Sequence, residues 1–216
     1  MDVLDSRESG EKYRLKVEGL AYEVEIPYVL VPAREGSLRI ASFNLIGQTR
    51  LNRDMGRLLA EKIRREVPDF SSVVILTAVE KALQLTQVIS SELGIEEVAV
   101  AYNRIKPHME VERRPVIQVG ADSITSGDKF LAVYERDMQL LGAAPHGYII
   151  IDDVVSTGGT ILGLYEIIEE AAARAGVEAP KVHGIFCAAT EGEAGRLLPA
   201  PIHTLVRLPV PQTVMP

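Results

Sequence analysis

Three things are scarce in this sequence: cysteine, long apolar stretches and basic charge. The single cysteine, Cys187, cannot form an internal disulfide, and its place in the apolar run Gly184-Ile185-Phe186-Cys187-Ala188-Ala189 marks it as a packing residue rather than a nucleophile. No apolar run approaches the roughly 20 residues that a membrane helix needs. Met1 to Arg14 is polar and charged where a secretory signal would be apolar. These features lead to the expectation of a cytoplasmic protein without membrane contact. Lys and Arg number 23 against 30 Asp and Glu, a net charge of −7 with a pI of about 5.2. That balance argues against binding nucleic acid over a broadly basic face, because phosphate affinity comes from many Lys and Arg contacts. No Gly-Lys-Ser/Thr occurs, which excludes a Walker phosphate loop, and no dinucleotide fingerprint is matched.

What is present is a chain of 216 residues, 47% hydrophobic and 25% charged, enough for one sizeable core and too ordered in composition for disorder or a string of domains. The first dozen residues read as frayed. Tyr13, Leu15 and Val17, then Tyr22, Val24 and Ile26, alternate with polar residues on either side of Glu18-Gly19, which predicts a β-hairpin. Pro27 and Pro32 interrupt the pattern before a further extended run, Leu38 to Phe43. Residues 1–37 therefore read as a tail and hairpin extension, and 38–216 as the main domain.

From Thr49 the period changes. Leu51, Met55, Leu58, Leu59 and Ile63 share one helical face. Val73 to Leu76 is a short apolar strand, Ala82 to Leu93 a helix closed by Gly94, and Val98 to Ala101 a strand. Buried-looking strands follow at Phe130 to Val133, Tyr148 to Ile151, Val182 to Cys187 and Thr204 to Leu208, with a long helix from Gly159 to Ala175. Apolar strands alternating with amphipathic helices predict an α/β fold, a mainly parallel twisted sheet with helices on both faces. Arg104 to Gly127 does not fit this rhythm. It holds Arg104, Lys106, His108, Arg113 and Arg114 around Glu110 and Glu112, with one weak strand at Pro115 to Val119, and reads either as a binding lid or as a solvated edge hairpin.

The chemistry concentrates in Tyr148-Ile149-Ile150-Ile151-Asp152-Asp153-Val154-Val155-Ser156-Thr157-Gly158-Gly159-Thr160, a buried strand, an acidic pair, a glycine turn and a helix start. Ligands in open α/β sheets bind at the carboxyl ends of strands, where Asp152 and Asp153 stand. Adjacent carboxylates there can accept hydrogen bonds from vicinal ribose hydroxyls and can face a hydrated Mg²⁺. Gly158 and Gly159 allow a tight turn, the amides from Ser156 to Thr160 offer a phosphate site, and the hydroxyls of Ser156, Thr157 and Thr160 add donors. A plain Ser/Thr helix cap would explain the hydroxyls but not the buried strand ending in two aspartates.

Ile149 to Thr160 resembles the phosphoribosyl diphosphate signature of the type I phosphoribosyltransferases, and the resemblance extends over roughly residues 38 to 208. It implies that family's fold with an N-terminal hairpin and hood, transfer of ribose 5-phosphate from phosphoribosyl diphosphate to a base, Mg²⁺ as cofactor, and a homodimer, for which Tyr13, Tyr22 and Tyr28 would suit the contact surface or else cover the chain's own core. Carried over, Asp152 and Asp153 would hold the ribose hydroxyls and, through water or substrate, the metal. Ser156, Thr157, Gly158, Gly159 and Thr160 would hold the 5-phosphate. The pyrophosphate loop would be Thr77 to Lys81, with a strained or cis peptide expected within Val79-Glu80-Lys81. Lys81 would neutralise pyrophosphate, although an exposed helix lysine looks the same in sequence. Arg104 to Gly127 falls where the family has its flexible catalytic loop, which favours the lid reading. Arg104 and Lys106 are then candidates for the leaving-group charge, and Glu110 or Glu112 for proton removal from the base.

The resemblance is nearest to the adenine and xanthine enzymes. Ser156 occupies the position where some 6-oxopurine enzymes carry an acid, and Ala188-Ala189-Thr190-Glu191 replaces the lysine-bearing strand end of the xanthine enzyme. An acceptor such as Glu191 suits the exocyclic amine of adenine. Phe43 would stack on the base or belong to the core, Val154 would line the base site, and Glu191 could equally be the first-turn acid of a next helix. Adenine is therefore placed first, and xanthine, hypoxanthine or guanine second. Orotate is less favoured because the lysine-rich loop of its enzymes has no match in Arg104 to Met109. A non-catalytic phosphoribosyl diphosphate sensor is the alternative of a different class, but the first 37 residues are short and strand-like for a DNA-binding domain.

Overall fold

The computed structural model describes residues 7–33, 36–104, 117–122, 128–144, 146–192 and 197–215. Strands β1 (Arg7–Leu15), β2 (Val24–Pro32) and β3 (Ser37–Ala41) come first, then helix α1 (Thr49–Glu66), strand β4 (Val74–Ala78), helix α2 (Leu83–Leu93) and strand β5 (Ala99–Ala101). They are followed by β6 (Ile117–Asp122), β7 (Asp128–Val133), α3 (Glu135–Gly142), β8 (Tyr148–Val155), α4 (Gly159–Arg174), β9 (Val182–Glu191), β10 (Ile202–Leu208) and β11 (Gln212–Val214).

Five strands form a wholly parallel sheet in the order β10-β9-β8-β4-β5. Its centre is β8, where Ile149, Ile150 and Ile151 are fully buried. Because strand side chains alternate, Ile149 and Ile151 pack on one face with Met55, Leu59 and Ile63 of α1 and Leu85 and Ile89 of α2. Ile150 packs on the other face with Leu164, Ile167, Ile168 and Ala171 of α4. All five strands run the same way, so their carboxyl ends open on one side. Among the described residues, no helix is long and apolar enough to cross a membrane.

The predicted N-terminal hairpin is present, with its turn at Glu18-Gly19 and Leu15 opposite Val24. Gly19 takes a positive φ of 91°, where a side chain would also collide with Leu58. The expectation of a frayed first dozen residues is corrected, because β1 pairs from Arg7 onward. Pro27 and Pro32 do not break the strand either. β1 shifts register between Glu8 and Lys12, beside Pro27, and a proline is tolerated at such a bulge. β3 and β11 complete a four-stranded antiparallel sheet, β1-β2-β3-β11, so this sheet draws on chain from both sides of residue 37. Tyr13, Tyr22 and Tyr28 pack, partly buried, against the chain's own core.

Phe130 to Val133 is not a member of the parallel sheet. It lies within β7, which pairs antiparallel with β6 in a two-stranded ribbon, and Leu131 and Val133 are apolar because they pack into the α4-side core. The ribbon joins the sheet's edge through a bridge between Tyr102 and Ala132. Part of the irregular segment is thus a paired ribbon, whereas residues 105–116 and 123–127 lie outside the described residues.

Close approach of α1 and α2 depends on a residue without a side chain. A Cβ on Gly56 would sit 2.5 Å from Cγ1 of Val88. Gly56→Ala should destabilise the protein by about 1–3 kcal/mol in urea unfolding, although alanine is the better helix former by about 1 kcal/mol. Adding Val88→Ala should recover part of the loss. A Gly56→Ala protein at least as stable as the parent would show that the two helices separate without cost.

Candidate functional site

A cleft of about 440 Å³ opens at the carboxyl ends of β4, β5, β8, β9 and β10. The buried strand β8 delivers Asp152, Asp153 and Val154 to its floor, and Ser156 and Thr160 follow on one side. Ala78 to Ala82, leaving β4, form the opposite lip with Asn103. Ile40 to Phe43, Glu191 and Leu208 make the remaining wall.

Asp152 and Asp153 are 9% and 6% exposed, an unusual burial for two adjacent acids. The Asp153 amide donates to Oδ1 of Asp152 at 2.9 Å. Burial pushes the Asp152 carboxyl well above the usual range, and the charge of Asp153 adds to this; Lys81 acts in the opposite sense. Oδ2 of Asp153 is buried with no hydrogen-bond partner among the described residues.

Gly158, at the start of α4, has φ of 81°, and a Cβ there would meet Leu198 at 2.7 Å. No side chain caps the helix, so Ser156, Thr157 and Thr160 are not spent on that task and the plain N-cap explanation fails. Ser156 and Thr160 line the cleft; Thr157, Gly158 and Gly159 shape the turn without lining it. On the facing loop the peptide between Val79 and Glu80 is cis, within the stretch where such a bond was expected. Glu80 and Lys81 are exposed and line the cleft.

The remaining expected residues divide. Phe43 belongs to the core, as one of its two readings had it, and also lines the cleft. Val154 lines the cleft, as does Glu191, which ends β9 opposite Leu208 of β10 rather than opening a helix. Burial raises the Glu191 carboxyl. Arg104 is exposed beyond the cleft lining and lies 3.7 Å from Glu80. Lys106 and Glu110 fall in 105–116, outside the described residues, as does Glu112. Cys187 is fully buried and its thiol is pushed up to about 12 by that burial, which leaves it unreactive.

Sequence reading placed 38–43 in the hood over the base and Ala78 in the pyrophosphate loop, and it missed Ala82, Asn103 and Leu208. Asn103 and Leu208 stand at or just beyond the ends of β5 and β10. The strand-end rule that singled out the aspartates, applied to the predicted ends at Ala101 and Leu208, would have reached them.

Asp152 and Asp153 line the cleft and offer hard oxygen donors of the kind suited to Mg²⁺. Among the described residues no group of three or more His, Cys, Asp or Glu converges. A magnesium ion here would complete its octahedron from water and ligand oxygens, as Mg²⁺ commonly does.

No family model matches the chain, and no curated protein matches it. Solved structures do. Adenine phosphoribosyltransferase from Thermoanaerobacter pseudethanolicus is similar with a TM-score of 0.54 at 14% identity, over 78% of this chain and 88% of that one. The adenine phosphoribosyltransferase of Giardia lamblia, solved with 9-deazaadenine, gives 0.55 at 14% identity, over 83% and 93%. A buried parallel sheet, with two acids and a glycine turn at its carboxyl edge and an antiparallel sheet beside it, is thus the type I phosphoribosyltransferase fold.

Proposed function

We propose that the chain is a purine phosphoribosyltransferase of purine salvage. It transfers ribose 5-phosphate from phosphoribosyl diphosphate to a ring nitrogen of a purine, adenine first, giving the nucleoside monophosphate and pyrophosphate. The observation that carries this reading is the composition of one cleft: two adjacent near-buried carboxylates, a helix N-terminus without a side-chain cap, and an apolar wall. The likeness in fold to adenine phosphoribosyltransferases agrees with it.

In this reading Asp152 and Asp153 accept hydrogen bonds from the ribose hydroxyls, and the amides from Ser156 to Thr160 bind the 5-phosphate. The loop Val79-Glu80-Lys81 faces the pyrophosphate, with Lys81 as the cation lining the cleft. As the bond from ribose C1 to pyrophosphate breaks, positive charge develops on the ribose and negative charge on the leaving group. A base nitrogen closes on C1 and gives up its proton. Bound Mg²⁺ supplies charge neutralisation to the pyrophosphate. Phe43 and Val154 form the apolar wall for the purine, and Glu191 its polar contact. Arg104, beside Glu80 at the mouth, and Lys106 are assigned to the leaving group, and Glu110 to the base proton.

Incubation with phosphoribosyl diphosphate, Mg²⁺ and each of adenine, hypoxanthine, guanine, xanthine and orotate should release pyrophosphate, fastest with adenine. No release with any base would overturn the enzyme reading, and retained phosphoribosyl diphosphate binding would then point to a sensor. Asp153→Asn should weaken phosphoribosyl diphosphate binding about ten-fold or more in calorimetry, the loss of a charge-assisted contact, with an unchanged circular dichroism spectrum. Unchanged affinity would remove the ribose clamp.

The site should also cost stability. The folded chain holds the Asp152 proton more tightly than the unfolded chain. Its contribution is therefore fully present below the ordinary carboxylate pKa and is lost as pH rises through the raised folded value. Asp152→Asn removes that titration, so the variant should melt above the parent at about pH 8, with the difference shrinking as pH falls. A lower melting temperature at the higher pH would contradict the assignment.

A further inference from the structure

We propose that Glu80 is a positioning residue for the leaving group: it holds Arg104 at the mouth of the cleft, gives it up to a bound pyrophosphate group and reclaims it as pyrophosphate departs. The inference rests on the transferase reading and adds how that site releases its inorganic product.

An acid on this lip is unexpected, because the lip faces a polyanion and like charges repel. Its partner supplies a reason. Glu80 lines the cleft and Arg104 does not. The Arg104 guanidinium lies 3.7 Å from Oε1 of Glu80, so Glu80 links the cleft to a cation standing outside it. The neighbouring cation serves a different group: Lys81 lines the cleft and acts on Asp152. Glu80 and Lys81 are adjacent in the chain and have separate tasks.

Glu80 and Arg104 follow neighbouring strand ends whose backbones are tied together. Ala78 of β4 is paired with Ala101 of β5, and the Val79 amide donates to the Ala101 carbonyl at 2.9 Å. The Leu83 amide donates to the Glu80 carbonyl at 3.3 Å, which anchors that backbone as well. The side chains are freer, that of Glu80 being 61% exposed and that of Arg104 64%. An ion pair so open to water is weak and changes partner at small cost. A pyrophosphate group presents more charge and more acceptor oxygens than one carboxylate, so Arg104 moves to it on binding. The exchange needs side-chain rotation alone. Once Arg104 has moved, the uncovered carboxylate repels the anion and draws the guanidinium back, which shortens the stay of pyrophosphate after its bond to ribose has broken.

The test is a double-mutant cycle on the full chain, with Glu80→Gln, Arg104→Gln and the two combined. Binding of pyrophosphate in the presence of Mg²⁺ is read by calorimetry, and turnover of phosphoribosyl diphosphate with each base is read separately. Glu80→Gln should bind pyrophosphate about two- to five-fold tighter than the parent, and the KM for phosphoribosyl diphosphate should fall in the same sense. A gain in affinity is not what loss of structure produces. Arg104→Gln should weaken binding, and adding Glu80→Gln to it should tighten binding by a smaller factor than in the parent. Equal tightening in both backgrounds would leave only direct repulsion and overturn the exchange. So would unchanged or weaker binding by Glu80→Gln, or a parent that binds no pyrophosphate. Turnover by the parent with no coupling in the cycle would remove this proposal and leave the transferase reading; the expected coupling without turnover of any base would do the reverse.

Discussion

Everything at the site depends on the burial of one strand on both faces. Ile149, Ile150 and Ile151 of β8 are enclosed by α1 and α2 on one side and α4 on the other. That enclosure carries the next two residues, Asp152 and Asp153, into surroundings where a lone carboxylate would ordinarily not be placed. The carboxylates are desolvated because the strand that bears them cannot be withdrawn. Apolar burial along the sheet offsets the cost of holding them, including an oxygen of Asp153 that has no hydrogen-bond partner among the described residues.

The two halves of the cleft are tied together by short-range contacts. The wall from Ile40 to Phe43 follows the antiparallel sheet and is held to it by Ser42, whose amide donates to the Pro27 carbonyl at 2.9 Å. Just beyond, the Gly47 amide donates to Oε1 of Gln84 at 2.8 Å, on the first turn of α2. That helix follows directly on the Val79-Glu80-Lys81 loop. The apolar wall and the Val79-Glu80-Lys81 loop are therefore tied to their surroundings by a backbone and a side-chain hydrogen bond.

Charge follows a local rule here. The chain is acidic overall, yet the proposed ligand is a polyanion. Among the described residues a single cation, Lys81, lines the cleft, so the proposed anion site relies on backbone amides at the start of α4. The net charge speaks to the surface as a whole and to nucleic acid; it does not describe a site built from oriented peptide dipoles.

The unit from Tyr148 to Arg174 was fully legible because its signals are contiguous: apolar run, acidic pair, glycine turn and amphipathic helix follow one another and each acts over a few residues. The same holds for α1, α2 and the Glu18-Gly19 turn. Direction and pairing were not legible. An apolar run such as Phe130 to Val133 looks alike in a parallel sheet and in a ribbon packed under a helix, and Pro27 reads as a breaker unless the bulge in β1 is known. Nothing local announces that Gln212 will pair with Arg39. Nor could the chain's order show that Ser42, Asn103 and Leu208 meet around Asp152. The sequence by itself determined the strand, acidic pair, glycine turn and helix start of the candidate site, since those signals act on their neighbours in the chain. Only the tertiary structure decided which walls surround them, since strand pairing and burial are settled between segments far apart in sequence.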